Sequence, residues 1–142
     1  MIKSFIIALA VVMIAFVGGA VAQDATANPL LGTWELVQSR AENASDYADV
    51  PKKRRELALY TPTYFAVINY DTATKKSGPA LGGRYTFSGG DYKEIIEFPA
   101  IKGKAATGNT NFFTVRLEGD RLTKTGTLSN GRKVSEVWQK VK

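Results

Sequence analysis

The sequence predicts an all-β fold, a single antiparallel up-and-down barrel of about eight strands, and three observations carry that expectation. Beyond residue 29, apolar and polar residues alternate with the period of half-buried strands rather than at helical spacing. β-Branched and aromatic residues are frequent in the same stretches. Short turns, most of them marked by glycine, separate the runs, and consecutive antiparallel strands joined in this way close most simply into a barrel without exposed edges.

The first 22 residues are set apart. Lys3 is their single charge, residues 5–17 are unbroken apolar, and Ala20-Val21-Ala22 precedes Gln23. This is the pattern of a secretory leader cleaved after Ala22, and it predicts export to the periplasm or the extracellular space. Residues 23–142 then form one domain, long enough for a single core. No disulfide can staple it, because the chain has no Cys. It has no His either, which removes the commonest metal ligand and the most versatile general base. No cofactor is expected. The formal charge of +6, one unit of which leaves with Lys3, is too mild for a nucleic-acid footprint.

The opening strand, 30–38, contains Gly32-Thr33-Trp34, in which glycine lets the backbone pass close while the indole plugs one end of the barrel. The connector 39–50 has room for a short helix before Pro51. Lys52, Lys53, Arg54 and Arg55 read as a solvated rim, with weak contact to an anionic surface as the alternative use. Strands follow at 57–60 and 63–70, then a polar loop at 71–81 carrying Gly78-Pro79. Residues 83–88 and 91–98 form a hairpin across Gly89-Gly90, and 100–109 is a loop. Residues 111–118 and 121–127 flank Gly119-Asp120, and Asn130-Gly131 leads into the last strand, 133–141.

These pieces carry a resemblance. Leu31-Gly32-Thr33-Trp34-Glu35-Leu36-Val37 is similar to the opening of fatty-acid-binding proteins, and Val137-Trp138-Gln139-Lys140-Val141 to their last strand. Tyr60-Thr61-Pro62-Thr63-x-Phe65, Tyr70-Asp71, Gly82-Gly83-Arg84-Tyr85-Thr86-Phe87, Tyr92-x-Glu94-x-Ile96-Glu97-Phe98, Gly119-Asp120-x-Leu122-Thr123 and Glu136-Val137-Trp138 resemble small exported bacterial lipocalin-like domains of the calycin group. The resemblance implies a barrel that binds a small apolar molecule, although some relatives are isomerases or cyclases. It does not carry fatty-acid specificity. Glu136 and Trp138 stand where those binders place the carboxylate-receiving Arg and a Tyr, and a carboxylate would be repelled unless another cation intervened.

Strand parity, with Trp34 inward, turns Leu36 and Gln38 inward as well. It also favours Tyr85 and Phe87, then Tyr92, Glu94, Ile96 and Phe98, and on the later strands Phe113, Val115 and Leu117. The candidate ligand-binding residues are therefore Trp34, Leu36, Gln38, Tyr85, Phe87, Tyr92, Glu94, Phe113, Val115, Glu136 and Trp138. The strand 63–70 is apolar on both faces and cannot be oriented. Inward carboxylates must be paired, hydrogen-bonded or neutralised. The expected function is a monomeric, exported carrier of a small apolar or amphipathic molecule, with Glu94 or Glu136 anchoring a neutral hydrogen-bonding or cationic end. Two alternatives stay open: a protein-binding module with a solid interior, and a cofactor-free isomerase or cyclase using Glu94 and Glu136 as acid and base.

Overall fold

The computed structural model describes residues 28–98 and 108–142. The expected leader and its cleavage site, and most of the expected 100–109 loop, lie outside the described residues. Nine strands follow in order: β1 (Gly32–Ser39), β2 (Ala48–Asp49), β3 (Arg54–Tyr60), β4 (Tyr64–Asp71), β5 (Ser77–Ser88), β6 (Asp91–Phe98), β7 (Thr110–Glu118), β8 (Arg121–Thr127) and β9 (Lys133–Lys140). From β3 onward each strand pairs antiparallel with its successor, and β1 pairs with β3 on one side and β9 on the other. Eight strands thus close into a lipocalin-like barrel. β2 is a two-residue addition beside the end of β1, where Gln38 pairs with Asp49.

Two stretches depart from the sequence expectation. The connector 39–50 forms turns and β2 instead of a helix. The expected loop 71–81 contains the first five of the twelve residues of β5, where Leu81 and Ala80 pair with Val67 and Ile68. Its Gly-Pro pair reads locally as a turn, but partner strand β4 is long enough to extend the ladder past it.

Two bulges decide which side chains enter the barrel. Between Leu36 and Gln38, β1 carries one residue more than β9, so parity reverses after Val37. Gln38, expected inside, instead lies on the outer side, bonded to Asp49 at 2.9 Å and to Arg121 at 2.7 Å. Glu97 is the extra residue opposite Gly82 and Gly83, and it has the same effect on Phe98. Phe98, also expected inside, is turned out against Gly82 and is 48% exposed. The second bulge needs glycine on the facing strand. A Cβ at Gly83 would lie 1.9 Å from the carbonyl oxygen of Ile95 and 2.8 Å from the amide nitrogen of Glu97, both backbone atoms that cannot rotate away. Gly83→Ala is therefore expected to cost about 1–3 kcal/mol or more, the range for overpacking, as a lowered urea midpoint. An unchanged midpoint would show that the bulge can relax.

One end of the barrel is filled. Leu30 and Trp34 are fully buried there, and the indole Nε1 donates to the Leu30 carbonyl at 2.8 Å. Asn28 Nδ2 donates to the Tyr85 hydroxyl at 2.7 Å, which donates in turn to the Thr61 carbonyl at 2.7 Å. Tyr60, Tyr85, Tyr92 and Phe113 continue the packing inward. Tyr60 meets Tyr85 edge-on, Tyr85 stacks on Tyr92, and Tyr92 tilts against Phe113, with centroids 5.3, 5.6 and 6.0 Å apart. Such pairs add roughly 0.5–1.5 kcal/mol each beyond their burial. On the outside, Leu59, Ala66, Gly82 and Phe98 stand side by side across β3 to β6 as an apolar row.

Candidate functional site

Among the described residues the other half of the barrel is unfilled and holds a cavity of about 170 Å³. Its wall is apolar where Val67, Leu81, Ile96, Phe113, Leu128 and Val134 contribute, with Trp138 beside them. An enclosed apolar space of about 150 Å³ is enough for a benzene-sized ring. The cavity is smaller than a typical drug-sized pocket, because the aromatic packing stops it halfway.

Strand alternation brings a charged group to this wall from each of three strands. On β6, Tyr92, Glu94 and Ile96 share the inner face, and Glu94 is 5% exposed. On β9, Glu136 precedes Trp138 on that face. On β8, Leu122, Lys124 and Gly126 alternate inward, which buries Lys124 to 7% exposure. Glu94 Oε1 accepts from Asn111 Nδ2 at 2.9 Å, and Asn111 Oδ1 accepts the Ser129 amide at 2.8 Å, tying β6 to the β8–β9 turn. Glu136 Oε2 accepts from Trp138 Nε1 at 3.1 Å and lies 3.6 Å from Lys124 Nζ. The Lys124 ammonium also faces three rings, with Phe113 at 4.7 Å, Trp138 at 5.6 Å and Tyr92 at 5.9 Å from its nitrogen. Nearer the mouth, Glu56 is bound by Arg54 at 2.6 Å. Among the described residues no three acidic side chains converge to hold a metal ion.

Burial acts to lower the Lys124 pKa, but the attraction of Glu136 and then Glu94 outweighs it and holds the ammonium above its usual value. Lys124 therefore stays charged at neutral pH. This is the intervening cation on which carboxylate repulsion by Glu136 was made conditional. Arg84 pairs outward with Glu97, and Arg116 is mostly exposed beside Glu118.

Burial dominates the tyrosines too, raising Tyr60, Tyr85 and Tyr92 above the ordinary phenol value. The Tyr92 hydroxyl is enclosed with no hydrogen-bond partner. A phenol whose folded pKa is raised contributes stability that is complete below the unfolded value near pH 10 and is lost as pH climbs past it. In an alkaline titration these three phenols should ionise only together with the loss of near-ultraviolet circular dichroism. Their ionisation while that signal persists would show the packed half to be open to water.

The expected site residues divide accordingly. Glu94, Phe113, Glu136 and Trp138 line the cavity. Trp34, Leu36, Tyr85, Phe87, Tyr92 and Val115 belong to the interior packing, and Gln38 is outside. Lys124, Asn111 and Glu56 were missed. Parity from Leu122 and Phe113 would have placed the first two, and parity from Tyr60 the third. The basic run is partly consumed on the wall, since Arg55 grips both oxygens of Glu35 at 2.6 and 2.8 Å and Arg54 holds Glu56.

This architecture defines a class, the lipocalin-like barrel. A lipocalin-like protein from Bacteroides uniformis superposes with a TM-score of 0.57 at 17% identity, over 79% of this chain and 98% of that one. An uncharacterized protein from Bacteroides eggerthii superposes with a TM-score of 0.55 at 13% identity, over 79% of this chain and 99% of the other. No family model and no curated protein matches the chain. At these identities the likeness establishes the fold alone.

Proposed function

We propose that the protein is an exported binder of one small amphipathic molecule, held in the unfilled half of the barrel. The observation that carries this reading is the cavity of about 170 Å³, part apolar and part polar along its wall, on which buried Lys124 and Glu94 and half-buried Glu136 converge. An apolar side formed by Val67, Leu81, Ile96, Phe113, Leu128, Val134 and Trp138 can hold a ligand's body while the polar residues beside it orient its head group. A core that only needed filling would not bury Lys124 and Glu94 at the edge of an empty space, because each must overcome its desolvation. Export rests on the leader pattern of residues 1–22.

Native mass spectrometry of the protein purified from its exported fraction tests the reading. A co-purified molecule of roughly ten non-hydrogen atoms, lost on substitution of Leu128 by Trp to fill the cavity, is the expected result. If no small molecule binds and the Trp substitution is silent, the outer apolar row becomes the better candidate for function, and the protein a protein-binding module.

A further inference from the structure

We infer that the cavity selects a ligand whose buried end is neutral and both donates and accepts hydrogen bonds, as a primary carboxamide does, and that it rejects simple amines and simple acids. The inference rests on the small-molecule reading above and names the chemistry of its ligand.

The argument is an account of the polar atoms at the cavity wall. Lys124 offers three N–H donors, yet its partner carboxylate stands 3.6 Å away, beyond hydrogen-bonding length. Glu94 uses one oxygen for Asn111, and Glu136 uses Oε2 for Trp138. A carboxylate accommodates about four donors, so both retain acceptor capacity. Unused donors on the lysine and unused acceptors on the glutamates therefore border the same small space. An occupant satisfies both only by presenting an acceptor to Lys124 and a donor to Glu94 or Glu136.

The charges exclude the simpler head groups. An acid would meet Lys124 and the exposed Arg132, but also the three carboxylates of Glu56, Glu94 and Glu136. An amine would meet the carboxylates but also the ammonium of Lys124, which stays protonated at neutral pH. Either ion must in addition give up its hydration on entering a cavity of this size, a cost that a neutral head avoids. Toluene-like bodies without a head would leave the remaining donors and acceptors of these groups unmet, where a neutral amide engages them. The apolar wall and volume suit a single ring behind the head group.

The probes are benzamide, benzylamine, benzoate and toluene, titrated at pH 7 by Trp138 fluorescence and by calorimetry. Benzamide should bind at least about tenfold more tightly than each of the others, the discrimination expected when a mismatched head leaves buried polar groups unpaired. Tighter or equal binding of benzylamine, benzoate or toluene overturns the inference while leaving the cavity a binding site. Binding by none of the four removes the small-molecule reading and this inference with it. Lys124→Met combined with Glu136→Gln removes the ion pair as a unit and leaves Glu94. In that protein, checked for its fold by circular dichroism, the preference should move to benzylamine. An unchanged order would assign discrimination to groups other than Lys124 and Glu136.

Discussion

Trp34→Ala is expected to destabilise the protein by about 3–5 kcal/mol, the range for emptying a large aromatic site. Trp34 is 1% exposed, and it closes the filled end together with Leu30. The substitution also strands the Leu30 carbonyl, which accepts the indole N–H, and removes the ring over which Lys140 Nζ lies at 5.3 Å. With a native stability of about 5–15 kcal/mol for an ordinary domain, this is enough to threaten folding. Phe112→Ala is the matched control, since Phe112 is 64% exposed on the outer face and should change stability by no more than about 0.5 kcal/mol. Similar urea midpoints for the two variants would mean that Trp34 does not close the barrel. Glu35 would be a poor control, although it neighbours Trp34 on the opposite face, because both its oxygens are held by Arg55.

Lys124→Met alone is the second large effect, at roughly 3–5 kcal/mol, because it leaves buried Glu94 and half-buried Glu136 without their cation. Adding Glu136→Gln should recover part of that loss. The full pair is worth less than half of it costs to break, since desolvation already consumes most of the attraction. A double-mutant cycle in urea measures the coupling directly. If Lys124→Met costs under about 1 kcal/mol, the pair behaves like a surface ion pair and water reaches it freely.

The sequence was informative wherever one physical preference acted alone. Trp34, Tyr85, Tyr92, Phe113 and Val115 are buried as their alternation demands, and the turns at Gly89-Gly90 and Gly119-Asp120 fall where the dipeptides place them. It misled where pairing with a distant strand overrode the local pattern. Nothing in Leu36-Val37-Gln38 announces an extra residue, because a bulge is defined by the partner strand and β9 lies about a hundred residues away. The start of β5 was obscured by Gly78-Pro79 for the same reason. Lys124 was legible in principle, since Leu122, Lys124 and Gly126 alternate, but a lysine between threonines reads as an exposed strand position. Its burial becomes understandable only once Glu94 and Glu136, from strands β6 and β9, are seen to face it. Tyr85 turns inward as its alternation demands, and Asn28 and Thr61 hold its hydroxyl in the plug.

The plug has a practical corollary for how the molecule can be handled. Asn28 and Leu30 enter beside Tyr85 and Trp34, and Val141 leaves beside Thr33, to whose carbonyl its amide donates at 2.9 Å. Both ends of the described chain therefore emerge at the filled pole, with the mouth at the other. A dye, resin or fusion partner attached after Lys142 will point the mouth away from its attachment. A tag could equally be inserted at Gly89-Gly90, a turn at that same pole, without touching a single cavity residue.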